Sequence, residues 1–221
     1  MQRNKKEYYA SEKVVNTYLK KRYSGKSGEW IKKRELLTVK ILLPKKGKII
    51  DIGCGTGRLQ EILDKEHNVT GIDSSKEMLR ICPYKKKKEG DATKLPVKDK
   101  EYDVSILLRV LFHYKEIKPF LEECKRVTKK QGYIIFETYA WSPRTYIMIE
   151  SLGGKIYSHK EKEIKEILKI LDLKYIEKES IFLLSPYIQK HLPYFIVKIL
   201  DKIEKRLPNK IKVDHYWKVQ V

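Results

Sequence analysis

Ile49-Ile50-Asp51-Ile52-Gly53-Cys54-Gly55-Thr56-Gly57-Arg58 is the stretch on which the reading of this chain turns. An apolar run carries an acid near its end and then breaks into three alternating glycines. A helical pattern starts straight afterwards, with Leu59, Ile62 and Leu63 on one face. Strand, glycine turn and helix are the layout by which an open parallel sheet builds a ligand site at its carboxyl edge. Glycines there let the backbone turn sharply and come close to a ligand.

Downstream the pattern repeats. Asn68 to Asp73 is a second short strand ending in an acid, 22 residues after Asp51. Ser74 or Ser75 can cap the next helix, which buries Met78 and Leu79. Lys85 to Lys88 form either a phosphate patch or an edge strand whose lysines block further pairing, and the edge strand is favoured. Gly90-Asp91-Ala92 follows. Tyr102 to Leu108 is a buried-strand pattern that opens into Arg109 to Tyr114. Ile117, Phe120, Leu121, Cys124 and Val127 recur at helical spacing, and the turn Lys129 to Gly132 leads into the strand Tyr133 to Tyr139. A helix over Ile164 to Leu171, a strand over Lys174 to Leu184 and a last strand over Lys212 to Val221 complete the series. Between the last two strands, a long apolar stripe from Ile188 to Leu207 runs beside many lysines, and Pro193 either kinks it or marks its start. Such a helix covers a sheet or lies on a membrane.

Upstream, Ser11 can cap a helix carrying Val14, Val15, Tyr18 and Leu19. A turn over Ser24 to Gly28 separates it from a second helix, from about Glu29, that carries Trp30, Leu37 and Ile41. Strands alternating with helices give an α/β, doubly wound sandwich. One domain over 1–221 is expected, with an N-terminal helical cap (1–43), a core (44–140) and substrate-side helices and last strands (141–221).

Composition limits the function classes. At 41% apolar and 35% charged, the chain reads as soluble and globular. It has no apolar run long enough for a membrane span and no signal-peptide core at its start. Three scattered cysteines, Cys54, Cys82 and Cys124, suit a reducing cytoplasm and suggest no metal site. A cytoplasmic location follows as an expectation. Lys and Arg number 49 against 29 acids, a net charge of +20. That points to nucleic acid or an anionic membrane, or to a Lys-rich proteome. The spread of the lysines along the whole chain favours the proteome reading.

Asp51, Asp73 and Asp91 close successive strands and so meet at one sheet edge. Gly53-Cys54-Gly55-Thr56-Gly57 lacks the G-x-G-x-x-G spacing of a dinucleotide site. With Gly71-Ile72-Asp73-Ser74, Gly90-Asp91-Ala92 and Leu121 to Val127 before Lys130 to Tyr133, the set resembles the class I S-adenosylmethionine-dependent methyltransferases. The likeness is to the branch that includes quinone-biosynthesis and other small-molecule enzymes. It runs from about Lys48 to Tyr139.

The resemblance implies a Rossmann-like, seven-stranded sheet with an antiparallel last strand, and S-adenosyl-L-methionine as cofactor, leaving as S-adenosyl-L-homocysteine. It assigns the methionine part of the cofactor to the loop of Asp51, Gly53, Cys54, Gly55, Thr56 and Gly57. It assigns the ribose hydroxyls to Asp73, beside Ser74 and Met78, and the adenine to Asp91, with Ala92 and Thr93 nearby. It lays Leu108, Arg109 and Val110 over the cofactor. Tyr9 and Arg34, from their place in the cap, are candidates to reach the cofactor or the acceptor, with packing alone as the alternative reading of the cap's aromatics.

Methyl transfer from a sulfonium is an in-line displacement that depends chiefly on alignment. His113, at the end of its strand, is the candidate base where the acceptor atom carries a proton. Tyr23, Tyr139, Trp141, Arg144, Tyr157 and Tyr187 are candidate acceptor contacts. A small-molecule or lipid-like acceptor is expected, with a tRNA or rRNA methyltransferase or a non-catalytic binder of the same cofactor as alternatives. Peripheral membrane contact is a further expectation. Oligomeric state is not legible.

Overall fold

The structure is a computed structural model that describes Val15, Thr17 and residues 23–63, 67–140 and 156–221. Its strands are β1 (Gly47–Ile52), β2 (His67–Asp73), β3 (Lys86–Glu89), β4 (Tyr102–Leu107), β5 (Thr128–Tyr139), β6 (Lys174–Ile181) and β7 (Asp214–Gln220). They form one seven-stranded sheet in the order β3-β2-β1-β4-β5-β7-β6. β1 to β5 are parallel neighbours, and β7 runs antiparallel to both β5 and β6. The Rossmann-like, doubly wound arrangement with an antiparallel last strand is therefore present. All four residues of β3 are exposed on the sheet's outer edge, so the lysine run is the edge strand.

The helices are α1 (Gly25–Leu42), α2 (Lys76–Ile81), α3 (Lys118–Val127), α4 (Glu161–Ile170), α5 (Pro186–Gln189) and α6 (Tyr194–Glu204). Successive residues on a strand face opposite sides, and the core divides accordingly. Ile49, Val104, Ile106 and Ile135 pack with Ile31, Leu36, Val39 and Leu42 of α1. Ile50, Leu107, Ile134 and Phe136 pack with Phe120, Leu121 and Cys124 of α3 and Ile164 and Leu168 of α4.

Several expectations need correction. The Ser24 to Gly28 turn is already helical from Gly25. Gly28 is required there because a Cβ would stand 2.4 Å from the Tyr23 carbonyl carbon. α1 lies along a sheet face instead of capping the edge. It buries Ile31, Leu36, Val39 and Leu42, while Leu37 and Ile41 are exposed. The pattern after Gly57 gives only a 3-10 turn (Arg58–Glu61), with Leu59 buried. Pro193 does mark a start, as expected: it caps α6 and divides the stripe from Ile188 to Leu207. The helix expected around Val14 to Leu19 lies almost wholly outside the described residues, as do Tyr9, Trp141 and Arg144.

Candidate cofactor and acceptor site

The carboxyl ends of β1, β2 and β4 bring the glycine loop and its acids together. Gly53 and Cys54 donate to the Ile72 carbonyl at 2.7 and 3.0 Å, which pins the loop to the end of β2. Gly53, Gly55 and Gly57 all have positive φ, of 69°, 52° and 71°, a region that side chains with a Cβ enter only at a cost. At Gly53 a Cβ would also meet Val110 Cγ2 at 2.3 Å. The Leu108-Arg109-Val110 segment thus lies directly on the loop. Space is open around Gly55, where a Cβ would find nothing within 4 Å. A bare glycine facing open space beside two acids fits a ligand that approaches the backbone closely.

Asp73 organises this loop. Its Oδ2 accepts from Gly55 N at 2.7 Å and its Oδ1 from Ser75 N at 2.9 Å. Burial raises its pKa, and the backbone donors pull it back. Ser75, not Ser74, caps α2, its Oγ accepting from Met78 N at 3.1 Å. Ser74 is exposed and Met78 is buried. Asp91, at the exposed outer edge, has Oδ1 fixed by Thr93 N and Thr93 Oγ1 at 2.7 and 2.6 Å, with Ala92 between them. Asp51 is buried, and the Tyr84 hydroxyl donates to its Oδ2 at 2.8 Å. Burial pushes its carboxyl up to about 7, against the opposing pull of Tyr84 and Arg58. The Cys54 thiol, with Cys82 as its hydrogen-bond partner, is buried in the same wall, and Thr56 is half-buried on the loop.

A second polar cluster, which sequence reasoning did not foresee, adjoins the loop. Arg58 bonds Glu35 and donates to the Tyr23 hydroxyl at 2.6 Å; Tyr23 donates to Glu35 at 2.9 Å. Arg109, in a left-handed conformation at φ 62°, donates from its backbone to Glu137 Oε2 at 3.1 Å. Its Nη1 lies 3.0 Å from Glu137, 3.5 Å from Glu35 and 3.6 Å from Asp214. Its guanidinium also lies over the rings of Phe112 and Tyr139, at 5.1 and 5.3 Å. One signal in the sequence pointed here: Glu137 is an acid directly after the apolar run Tyr133 to Phe136.

The remaining candidates divide. Tyr139 is buried against Phe112, whose ring is 4.2 Å from that of His113. Tyr157 joins them, its N–H donating to the Phe112 carbonyl at 2.7 Å. Tyr23 is buried in the Glu35–Arg58 cluster. Arg34 is engaged elsewhere, on Asp201 at 2.9 Å and Glu204 at 2.8 Å of α6, and its neighbour Glu35 is the residue that meets Arg58. Tyr187 is exposed beside His191 and Lys190. His159 is tied through Nε2 to the Tyr114 carbonyl at 3.1 Å, and burial lowers its pKa.

Sheet order, glycine loop and edge acids define a class I S-adenosylmethionine-dependent methyltransferase, and the chain belongs to that family. A family model described as a methyltransferase domain matches residues 50–136. An uncharacterised protein of Methanocaldococcus jannaschii is 34% identical over 166 residues, covering 67% of this chain and 75% of that one. The ubiquinone biosynthesis O-methyltransferase of Nitrosomonas europaea is 29% identical over 109 residues, 45% of this chain and 46% of that enzyme. Among solved structures, a SAM-dependent methyltransferase of Thermotoga maritima shares the fold with a TM-score of 0.72 at 19% identity, over 98% of this chain and 99% of that one. S-Adenosylmethionine is the cofactor. Among the described residues, no helix is long and apolar enough to cross a membrane.

Proposed function

We propose that this methyltransferase acts on a small-molecule or lipid-like acceptor held between the glycine loop and the ends of β4, β5 and β7. One observation carries this. The wall beyond the loop is buried: Phe112, Tyr139 and Tyr216 are closed over, and Arg109 is nearly so. The segment after β6 folds back onto α1 through the bond from Ser27 Oγ to the Leu192 carbonyl at 2.8 Å. Groups set this far inside favour a compact molecule or a slender chain over a folded RNA. A relative's name, ubiquinone biosynthesis O-methyltransferase, supports the same reading.

The cofactor supplies an electrophilic methyl group. The chain's own residues align and exclude water: Asp73 and the loop hold one end of the site, Asp91 the other, and Arg109 with Tyr139 shapes the acceptor side. His113 acts as base where the acceptor atom bears a proton. Labelled methyl transfer into a cell extract fractionated into lipid, small molecules, RNA and protein is the test. Label should enter the lipid or small-molecule fraction and fall in His113→Ala if the base role holds. Label confined to RNA, or cofactor binding with no incorporation anywhere, would overturn the reading.

Asp51 gives the cofactor site a pH signature. A carboxyl with a pKa of about 7 is largely protonated at pH 6. A cationic ligand group drawn to the carboxylate must displace that proton. Affinity for S-adenosylhomocysteine should therefore rise roughly tenfold from pH 6 upward and level off above about pH 8. Tyr84→Phe removes the hydrogen bond that favours the charged form, so calorimetry should find the midpoint moved to higher pH.

A further inference from the structure

α6 is mounted with its polar side inward. Its buried residues are Val197, Asp201 and Glu204, and both acids close on Arg34 of α1. Its apolar stripe faces out: Phe195 is 64% exposed, Ile199 50% and Ile203 44%. These stand four residues apart, on one face of the helix. Exposed Tyr187 and Ile188 precede them, and exposed Leu37 and Ile41 extend the stripe of α1 that begins at Trp30 and Arg34. The two helices are joined along this line, with Tyr194 6.5 Å from Trp30 and Lys198 Nζ 3.7 Å over the Trp30 ring.

On the α6 side of this face the exposed charge has one sign, while α1 adds exposed Glu29 beside Trp30. From Ser185 to Lys212 the only acids are Asp201 and Glu204, and both are buried. Lys202, Lys205, Arg206 and Lys210 are exposed around the apolar stripe. Packing the acids against Arg34 leaves an outer surface that is apolar in the middle and cationic around it. Apolar side chains flanked by lysines are what a helix lying in a membrane interface presents, with its apolar residues below the headgroups and its cations on the phosphates. RNA would gain at most a stacking contact from Phe195 and nothing from Ile199 and Ile203, which offer neither donor, acceptor nor ring face. A second copy would bring its own cations against these.

We propose that the α1–α6 face docks on an anionic lipid surface, with Phe195, Ile199 and Ile203 entering the headgroup boundary and Lys202, Arg206 and Lys210 meeting lipid phosphates. β6 ends at the carboxyl edge that carries the glycine loop, so the docked face adjoins the acceptor side. This deepens the lipid-like reading of the acceptor and rests on it for its purpose, while the docking is tested without turnover.

Vesicle co-sedimentation decides it. The full chain should bind phosphatidylglycerol vesicles at least tenfold more tightly than phosphatidylcholine vesicles, and added salt should weaken the binding. Phe195→Asp with Ile199→Asp should reduce binding on the order of tenfold or more, as should Lys202→Glu with Arg206→Glu. S-Adenosylhomocysteine affinity and thermal midpoint serve as folding controls. No preference for the anionic vesicles overturns the proposal. So does undiminished binding by both folded variants, or a wild-type chain that ignores vesicles and instead dimerises or retains tRNA through this face. If vesicles bind but no lipid is methylated, docking stands and the acceptor reading alone fails.

Discussion

Replacing Asp73 with alanine is expected to weaken S-adenosylhomocysteine binding by about a hundredfold to ten-thousandfold. A carboxylate that accepts from both hydroxyls of a ribose makes two charge-assisted bonds, each about 1.5–3 kcal/mol, and every 1.4 kcal/mol is tenfold in affinity. The structure adds a second cost. The carboxylate already holds Gly55 N–H at 2.7 Å and Ser75 N–H at 2.9 Å. Alanine removes both acceptors, so the loop loses its anchor even before a ligand arrives. Asp73→Asn keeps the shape but turns one of those acceptors into an amide NH2 facing a donor, so it should lose most of the affinity too. Calorimetry with S-adenosylhomocysteine measures both. Affinity within threefold of wild type in the alanine variant would remove Asp73 from the cofactor site.

Asp73 was legible because its place depends on local sequence. A short apolar run fixes a strand, the strand's end fixes the sheet edge, and parallel pairing carries Asp51, Asp73 and Asp91 to the same side. The glycines are equally local, since their positive φ is a demand of the turn itself. What the sequence concealed depends on how elements are rotated against one another. On α1, Arg34 and Glu35 are neighbours about 100° apart around the axis. One turns to α6 and the other to Arg58, and nothing in the periodicity says which. Leu37 and Ile41 matched a helical stripe as well as Ile31, Leu36 and Val39 did. The choice between the stripes is made by α6, whose two acids need Arg34. Pairing inward-facing acids across two distant helices inverts the ordinary rule that the apolar face is buried, so the exposed face of α6 could not be read in advance. Tyr84 was hidden for a related reason: its hydroxyl serves Asp51 across a sheet–loop contact, with no spacing to announce it.

Arg109→Ala should be the most destabilising single change in the described site. Glu35, Glu137 and Asp214 are all at most 1% exposed, and Arg109 Nη1 lies within 3.6 Å of each. Removing a cation from buried carboxylates leaves charge that water cannot reach, a loss of about 3–5 kcal/mol. At roughly 2–4 °C per kcal/mol for a chain of this size, the thermal midpoint should fall by about 6–20 °C. Arg109→Lys keeps a charge but not the planar fork that reaches three carboxylates and stacks on Phe112 and Tyr139, so its midpoint should lie between those of the alanine variant and the wild type. Arg109 also seats Val110 on Gly53 through its left-handed backbone, and alanine at φ 62° retains the strain without the bonds that offset it. Cofactor affinity should accordingly drop in the alanine variant even where it stays folded. A variant as stable as wild type at pH 8 would show that the cluster is solvated and contributes little to the fold.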